Sequence, residues 1–350
     1  MDAKTVVTKE TKNRIHVDYE GKLTFKERMK KKLSASNTWI KMAISVFRFI
    51  LMLGVSFVIL YPFIARIAGS FMTKEDIIDA TVSIIPKNFT LEIYKAIITE
   101  NHYFEAFFNT ALLSLACAIL QMMVACLVGY GLAKFKFKGN TAVMLAVVLT
   151  MIIPHSTLKI AISQHFSSFD LLTVQSWSYR GPLELIFGRI ELTNTYWPLI
   201  VMSLTGLAFK NGLYIYLMRQ FFKGVPDELE ESAYVDGSGV FRTFVQIILP
   251  LSVPMMITVF LFSFSWQWTD EFYTTLFFTS QRNKVYLMPD IYKDTDALTA
   301  LGAQNFIGQQ LYTNVVQNTA GLMIIFPLVI LYLFCQKYLV QGIERSGLVG

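Results

Sequence analysis

Charged residues are scarce in this 350-residue chain, where Asp, Glu, Lys and Arg make up only 16% of the sequence. Soluble globular domains carry roughly 25%, so this composition lies outside their usual balance. The hydrophobic content is correspondingly high, at 54%. Together these values exclude an ordinary soluble protein and indicate a chain whose solvent is lipid.

Cysteine is also rare, with Cys117, Cys126 and Cys335 all in or at the edge of apolar runs. An odd number so placed predicts packing residues and no disulfide framework or metal cluster. The first forty residues are polar and have no early apolar core, so no cleavable signal peptide is expected. The first apolar run should then act as its own insertion signal.

Two kinds of chemistry lack their usual sequence pattern. No G-x-x-x-x-G-K-[ST] loop is present to hold phosphates, so no catalytic residue for ATP hydrolysis is assigned to this chain. His155, His165 and Asp170 are conceivable metal ligands, but their spacing matches no metal signature such as H-E-x-x-H. We favour interfacial polar residues over a metal site or a membrane-embedded enzyme.

Long apolar runs are what the sequence has in abundance. A helix needs about 20 apolar residues to cross the hydrocarbon core. Inside lipid the backbone amides need internal partners, which favours helices. The sequence therefore predicts an all-α integral membrane protein with six transmembrane helices, at residues 42–65, 106–133, 141–158, 196–218, 247–268 and 315–336.

Two runs contain a charge. Arg48 lies near the start of the first and can reach the headgroups, whereas Lys210 lies well inside the fourth, beside Asn211. Lys210 can line a solute pathway, pair with a carboxylate of another subunit, or reach an interface if the span is offset. Trp266 and Trp268 can stack on sugar rings, and an interfacial aromatic belt explains them equally well.

Basic residues predict the orientation. Residues 1–41 contain eleven Lys or Arg against five Asp or Glu, and the connection that holds Lys134, Lys136 and Lys138 has no acid. Positive flanks stay in the cytoplasm, so both termini are expected there. This divides the chain into a basic segment 1–41, a transmembrane region 42–338 and a cytoplasmic tail 339–350. The stretch 25–32 is either an amphipathic helix on the inner leaflet or an orientation signal in a solvated tail.

The cytoplasmic segment 219–246, between the fourth and fifth runs, contains residues that typically start and end a helix. Pro226 suits a first helical position, Glu228 favours the first turn, and Gly237 is a natural stop. A short helix is predicted over 226–236. Leu229 and Ala233, four residues apart, should share a small-residue face that fits a groove in another protein. An ordinary capped loop helix is the alternative.

The pattern Glu231-Ser232-Ala233, then Gly237, then Ile247-x-Leu249-Pro250 resembles the EAA loop of ATP-binding-cassette importer permeases. The flanking text, which includes Pro226, Glu228 and Leu229, is similar to the six-span partner subunit of maltose-type carbohydrate importers. Weaker resemblances run along most of the chain, among them Tyr61-Pro62-Phe63, Phe108-Asn109-Thr110 and Asn194-Thr195-Tyr196-Trp197.

The resemblance implies a type I importer transmembrane fold in the bacterial plasma membrane and import of an oligosaccharide. The EAA loop, which includes Pro226, Asp236 and Gly237, is implied to couple to a separate ATPase. Implied partners are a second homologous permease, two ATPase subunits that hold ATP and Mg²⁺, an extracellular solute-binding protein and the bilayer, with no nucleic acid. No cofactor is expected on this chain.

Three departures from that family are visible. Ser232 replaces the usual second alanine, Trp268-Thr269 stands where the family has Trp-Asn, and residues 164–188 look like an added external segment. A permease for a non-sugar solute stays open, as does an ion-coupled secondary carrier. Such carriers usually show internal repeats and embedded acids, and the six runs contain no Asp or Glu.

Overall fold

The structure is a computed structural model that describes residues 8–10, 16–18, 36–170, 190–280, 284–303 and 308–345. The basic stretch 25–32 and residues 346–350 of the predicted tail lie outside the described residues. So does most of the added segment 164–188, from residue 171 onward.

The chain forms two compact units, 1–65 and 66–350. The first contains a two-stranded antiparallel sheet of β1 (Thr8–Glu10) and β2 (His16–Asp18), in which Lys9 pairs with Val17, and most of the first long helix. The second unit is helical apart from isolated bridges in its described part, and it holds the remaining predicted spans.

Fifteen α-helices are described, numbered here in chain order. They are α1 (Ser36–Gly69), α2 (Lys74–Ile78), α3 (Glu92–Glu100), α4 (Tyr103–Lys134), α5 (Asn140–Ile152), α6 (Lys159–Ser167), α7 (Trp197–Thr205), α8 (Asn211–Lys223), α9 (Glu228–Val235), α10 (Val240–Thr243), α11 (Leu249–Trp268), α12 (Phe272–Phe277), α13 (Met288–Ile291), α14 (Asp296–Ala300) and α15 (Gln309–Arg345). A 3₁₀ turn, His155–Leu158, leads into α6, and a π-helical turn, Phe244–Ile248, leads into α11.

Four continuous helical stretches are long and apolar enough to cross a membrane: Trp39–Gly69, Tyr103–Lys134, Val240–Trp268 and Gln309–Val340. They contain the predicted runs 42–65, 106–133, 247–268 and 315–336. A fifth crossing is added if Asn140–Ile152 and His155–Ser167, bent by 91°, count as one broken span. The helix lengths in the described residues thus confirm a helical membrane protein and leave the count of six unconfirmed.

The third and fourth runs are not the single helices that were predicted. In the third, helix α5 ends at Ile152 because Pro154 follows in an extended conformation, and the chain turns before His155. In the fourth, α7 ends at Gly206, which takes a left-handed conformation with φ of 78°. Lys210, also left-handed, then starts α8. Lys210 therefore lies at a break and not inside a helix.

Helix α4 is the centre of the second unit because its side chains enter all three apolar clusters. One end packs on α8 and α11 through residues such as Cys126 and Tyr130, and the middle packs on α7. The other end packs on α13, and the Tyr103 hydroxyl there donates to the Met323 carbonyl of α15 at 3.0 Å. Near the middle, the Gln121 amide donates to Ser203 Oγ at 3.0 Å and accepts from Ser263 Oγ at 2.7 Å. This buried bridge ties α4 to α7 and α11.

Close packing between α4 and α8 depends on Gly129. A Cβ at this position would lie 2.7 Å from Met218 Cβ and 2.9 Å from the Arg219 nitrogen, whereas a Cβ at Gly131 meets nothing within 4 Å. We expect Gly129→Ala to destabilise the protein by about 1–3 kcal/mol through overpacking. Gly131→Ala should be neutral or stabilising, by up to about 1 kcal/mol. Thermal unfolding in detergent would measure both, and equal midpoints would contradict this packing.

Candidate functional site

The segment between α8 and α11 folds back on itself as a compact hairpin of short helices. The predicted helix at 226–236 is confirmed as α9, which starts at Glu228 and ends at Val235. Pro226 and Asp227 form its entry, with the Glu231 amide donating to the Asp227 carbonyl at 3.0 Å. Pro226 therefore lies two residues before the first helical residue, and not at the first helical position that the sequence predicted.

Gly237 ends α9 in a Schellman motif. Its φ is 80°, its amide donates to the Tyr234 carbonyl at 3.0 Å, and the Ser238 amide donates to the Ala233 carbonyl at 2.9 Å. These two hydrogen bonds satisfy carbonyls at the helix end, and they require a left-handed residue at this position. The predicted role of Gly237 as a helix stop therefore has a defined geometry.

The exposed side of α9 differs from the prediction. Ala233 is buried, only 5% exposed, and Glu230 is buried beside it, whereas Leu229 is 40% exposed. Residues four apart on a helix are offset by about 40°, so the edge of the buried face runs between Leu229 and Ala233. Ala233 thus packs on its own chain. The surface that a partner can reach carries the exposed residues Glu228, Leu229, Glu231, Ser232, Val235 and Asp236.

An apolar patch continues this surface beyond the helix. Val235 is 87% exposed and Phe241 is 78% exposed. We call the set the α9–α10 patch; its members are Leu229, Tyr234, Val235, Val240, Phe241 and Val245. Contiguous exposed apolar residues mark sites where proteins meet. The sequence analysis did not predict that Phe241 belongs to this surface. Two apolar residues directly after Gly239, in an otherwise polar segment, could have indicated it.

Lys134 fastens the base of this hairpin to the end of α4. Its side chain is only 5% exposed, its Nζ donates to the Val225 carbonyl at 2.7 Å, and it forms an ion pair with Asp227. The hydrogen bond from Lys134 holds the pKa of the Asp227 carboxyl below its ordinary value. The entry to α9 therefore moves with α4.

Lys134→Met should lower the stability of the protein, because the Val225 carbonyl would lose its donor. The expected cost is about 1–3 kcal/mol, measured as a lower thermal midpoint in detergent. Asp227→Asn is the matched control and should have the smaller effect, since Asp227 is 76% exposed and exposed ion pairs contribute little. Equal effects of the two substitutions would contradict the buried hydrogen bond as the main attachment.

Aromatic rings connect the hairpin to three helices. The Tyr130 ring of α4 lies 5.5 Å from the Phe222 ring of α8 and 4.6 Å from the Phe244 ring before α11, measured between centroids. Phe222 is fully buried. These contacts join the hairpin to α4, α8 and α11 in one close-packed apolar cluster.

The remaining residues of the predicted motif, Ile247, Leu249 and Pro250, form the root of α11. Ile247 and Leu249 pack partly buried against the core, and Pro250 is exposed in the first turn. The π turn before them is closed by the Leu249 amide donating to the Phe244 carbonyl. Single π turns of this kind interrupt the regular hydrogen-bond ladder of a helix and occur frequently at functional sites.

The structure brings two of the four predicted pathway residues, Lys210 and Trp266, together and places Trp268 elsewhere. Lys210 lies between the rings of Phe209 and Trp266, with Nζ 4.9 Å and 5.0 Å from their centroids, and Trp266 is 49% exposed. Asn211, the first residue of α8 after the break, is fully buried. Trp268 is 1% exposed and its indole donates to the Ile324 carbonyl at 2.9 Å, so it packs between α11 and α15.

The suggested metal ligands do not form a cluster. His155 Nδ1 hydrogen-bonds the Tyr273 hydroxyl at 2.5 Å, and across the described part of the chain no three His, Cys, Asp or Glu side chains are placed to hold a metal ion. His165 and Asp170 lie with His155 around an apolar cavity of about 560 Å³.

Comparisons with known proteins show which transport proteins this chain is similar to. Residues 121–345 match the family of binding-protein-dependent transport system inner membrane components. A probable starch degradation products transport permease, AmyC of Thermoanaerobacterium thermosulfurigenes, is 28% identical over 81% of this chain and 89% of its own. The galactooligosaccharide permease GanQ of Bacillus subtilis is 26% identical over 87% and 95%.

A solved structure has the same fold. It is a bacterial ABC transporter involved in the import of the acidic polysaccharide alginate, and the likeness has a TM-score of 0.66 at 16% identity. The match covers 85% of this chain and 96% of that chain.

Proposed function

The chain belongs to the family of inner membrane components of binding-protein-dependent transport systems, and from this membership we propose that it is the permease of an ATP-driven carbohydrate importer. The solute class is supported by relatives named for starch degradation products and galactooligosaccharides. These names favour sugar over a non-sugar solute, and dependence on a binding protein favours an ATP-driven system over an ion-coupled carrier.

The α9–α10 patch is the observation that carries this function. It presents apolar side chains on a helix whose end is fixed by Gly237 and whose base is fixed by Lys134. We propose that an ATPase subunit receives this patch. Glu228, Glu231 and Asp236 then form a polar rim around an apolar centre, which is the usual anatomy of a protein interface.

Coupling follows from how the hairpin is attached. When two ATPase subunits close around ATP and Mg²⁺, the patch moves with them. The Tyr130, Phe222 and Phe244 rings transmit that displacement to α4, α8 and α11. Rigid-body movement of these helices switches the bundle between inward-open and outward-open states. This chain supplies the lever, and ATP hydrolysis takes place on the partner.

The proposed topology has six crossings with both termini in the cytoplasm. The bent α5 and α6 pair makes the third crossing, and α7 with α8 makes the fourth, each broken inside the membrane. Residues 1–41, with eleven basic against five acidic residues, then lie on the same side as Lys134, Lys136, Lys138 and α9. A second permease, two ATPase subunits and an extracellular solute-binding protein complete the assembly.

Reconstitution tests this function. The chain is co-expressed with its partner permease, ATPase and binding protein and placed in proteoliposomes. Oligosaccharide uptake is expected only with ATP on the ATPase side and binding protein on the other. Uptake driven by an ion gradient without ATP, or unchanged when the ATPase is omitted, would contradict the proposal.

A further inference from the structure

Three interruptions of the helical bundle surround one cavity. The turn after Ile152, the break at residues 206–210 and the start of α12 meet at a space of about 560 Å³. Its wall includes Thr150, Pro154, His155, Phe209, Lys210 and Phe272. Irregular backbone at membrane depth is tolerated where it lines a cavity, and this volume suits a small ligand.

Lys210 is the charged group in that wall. It forms no ion pair with any carboxylate among the described residues, and its Nζ lies about equally far from the Phe209 and Trp266 rings. An ammonium at membrane depth is costly without a counter-charge, and the two ring faces compensate for only part of that cost. The site therefore has a place for an anion.

The other polar groups of the cavity add no negative charge. His155 is engaged with the Tyr273 hydroxyl, and the Thr150 hydroxyl donates to the Val147 carbonyl at 2.7 Å. Asp270, the acid near Trp266, is not among the residues of this wall. Its Oδ1 accepts the Tyr273 amide at 3.2 Å, and its buried Oδ2 has no hydrogen-bond partner among the described residues. The wall thus combines one cation with aromatic faces that can contact the C–H side of a sugar ring.

We infer that the translocated solute is a sugar that carries an anionic group, a carboxylate or a phosphate, and that Lys210 is its counter-charge at the helix break. This inference rests on the proposed function, because the cavity is a solute route only in a permease. A neutral sugar can accept hydrogen bonds from the ammonium, but only an anionic group also neutralises its charge, so the anionic sugar gains more from Lys210. Lys210 discriminates on charge, and the Phe209 and Phe272 rings in the wall supply contact area.

Binding to the assembled permease and ATPase complex, without its binding protein, tests the inference. Trigalacturonate and its neutral methyl ester have the same ring skeleton, and glucose 1-phosphate supplies the phosphate arm. Saturation-transfer NMR gives the Kd of each probe for the wild type, Lys210→Met and Lys210→Arg. Lys223→Met, an exposed lysine at the far end of α8, is the matched control.

The wild type and Lys210→Arg should bind an anionic probe about tenfold more tightly than the ester, and Lys210→Met should remove that preference. Whichever anionic probe shows the lysine-dependent preference identifies the group. Equal Kd values for all probes would overturn the inference, as would a preference that survives Lys210→Met. If the wild type binds all probes equally and Lys210→Met no longer assembles with its partner subunits, the inference is wrong. Lys210 would then form an ion pair with a carboxylate of a partner subunit instead.

Separate measurements on the same complex test the proposed function itself. ATPase activity and ATP-dependent uptake by the same complex report whether the chain is an importer permease. A complex with normal ATP-dependent transport and no charge preference rejects only the role of Lys210.

Discussion

Gly237→Val should reduce ATP-dependent uptake about tenfold while membrane insertion and yield stay normal. The left-handed conformation at φ of 80° places a β-carbon too close to the following carbonyl, which costs about 1–2 kcal/mol, and more for a β-branched residue. Because a Cβ at Gly237 meets no other part of the protein within 4 Å, the cost comes from the local backbone conformation and not from a clash with a neighbouring element. The variant loses the cap that fixes α9, so ATPase movement is no longer transmitted to the bundle.

Gly239→Val is the matched control for this experiment. Gly239 lies two residues away, has φ of −78° and ψ of 161°, and also has open space around its Cβ position. Valine adopts such extended angles readily. Uptake and ATPase activity measured side by side should be near normal in this variant. An equal loss of uptake in both variants would show that the segment does not tolerate the size of the valine side chain, and that the left-handed cap is not the cause.

Val235→Asp combined with Phe241→Asp should abolish recruitment of the ATPase to the membrane. These are the two most exposed members of the α9–α10 patch, so their own chain should lose little stability when they are changed. At an apolar interface centre, each charge would be buried unpaired, which weakens association by at least about tenfold. Pull-down of the ATPase with the purified permease measures this loss.

Ile85→Asp is the control for surface charge in general. Ile85 is 82% exposed and lies between α2 and α3, on a different loop from the patch. This variant should retain the ATPase. Recruitment that is normal in the double variant, or lost equally in the Ile85 variant, would mean that the patch is not the docking surface.

The positions of the long helices and of α9 could be predicted from the sequence because hydropathy and helix start and stop residues are local signals. Runs of apolar residues located the long helices, and Pro226 with Gly237 located α9 with errors of only a residue or two at its ends. The left-handed glycine was also predictable, since a helix stop of that kind favours the residue without a β-carbon.

The breaks in the third and fourth runs were harder to predict, because hydropathy averages over a window and does not report backbone direction. Pro154 and Gly206 were visible in the sequence, yet prolines and glycines are also tolerated inside membrane helices. Pro254 and Pro327, for example, lie within α11 and α15 without ending them. Whether such a residue breaks a helix depends on tertiary packing.

Side-chain burial was the other limit. Trp266 and Trp268 are two residues apart and looked equivalent, but one is half exposed and the other is inside the α11 and α15 interface. Ala233 likewise faces its own chain although Leu229, four residues earlier, does not. These differences depend on where neighbouring helices lie, which no local pattern encodes.

Cysteine cross-linking in membranes tests most directly whether this hairpin meets an ATPase. Ser232→Cys places a thiol on the exposed side of α9 in a Cys335→Ser background, in which Cys117 and Cys126 are buried. A short bifunctional reagent should join this position to the ATPase subunit in the active complex, with a yield that changes when ATP is added. A complex that transports normally but forms no such cross-link would contradict the coupling role of α9.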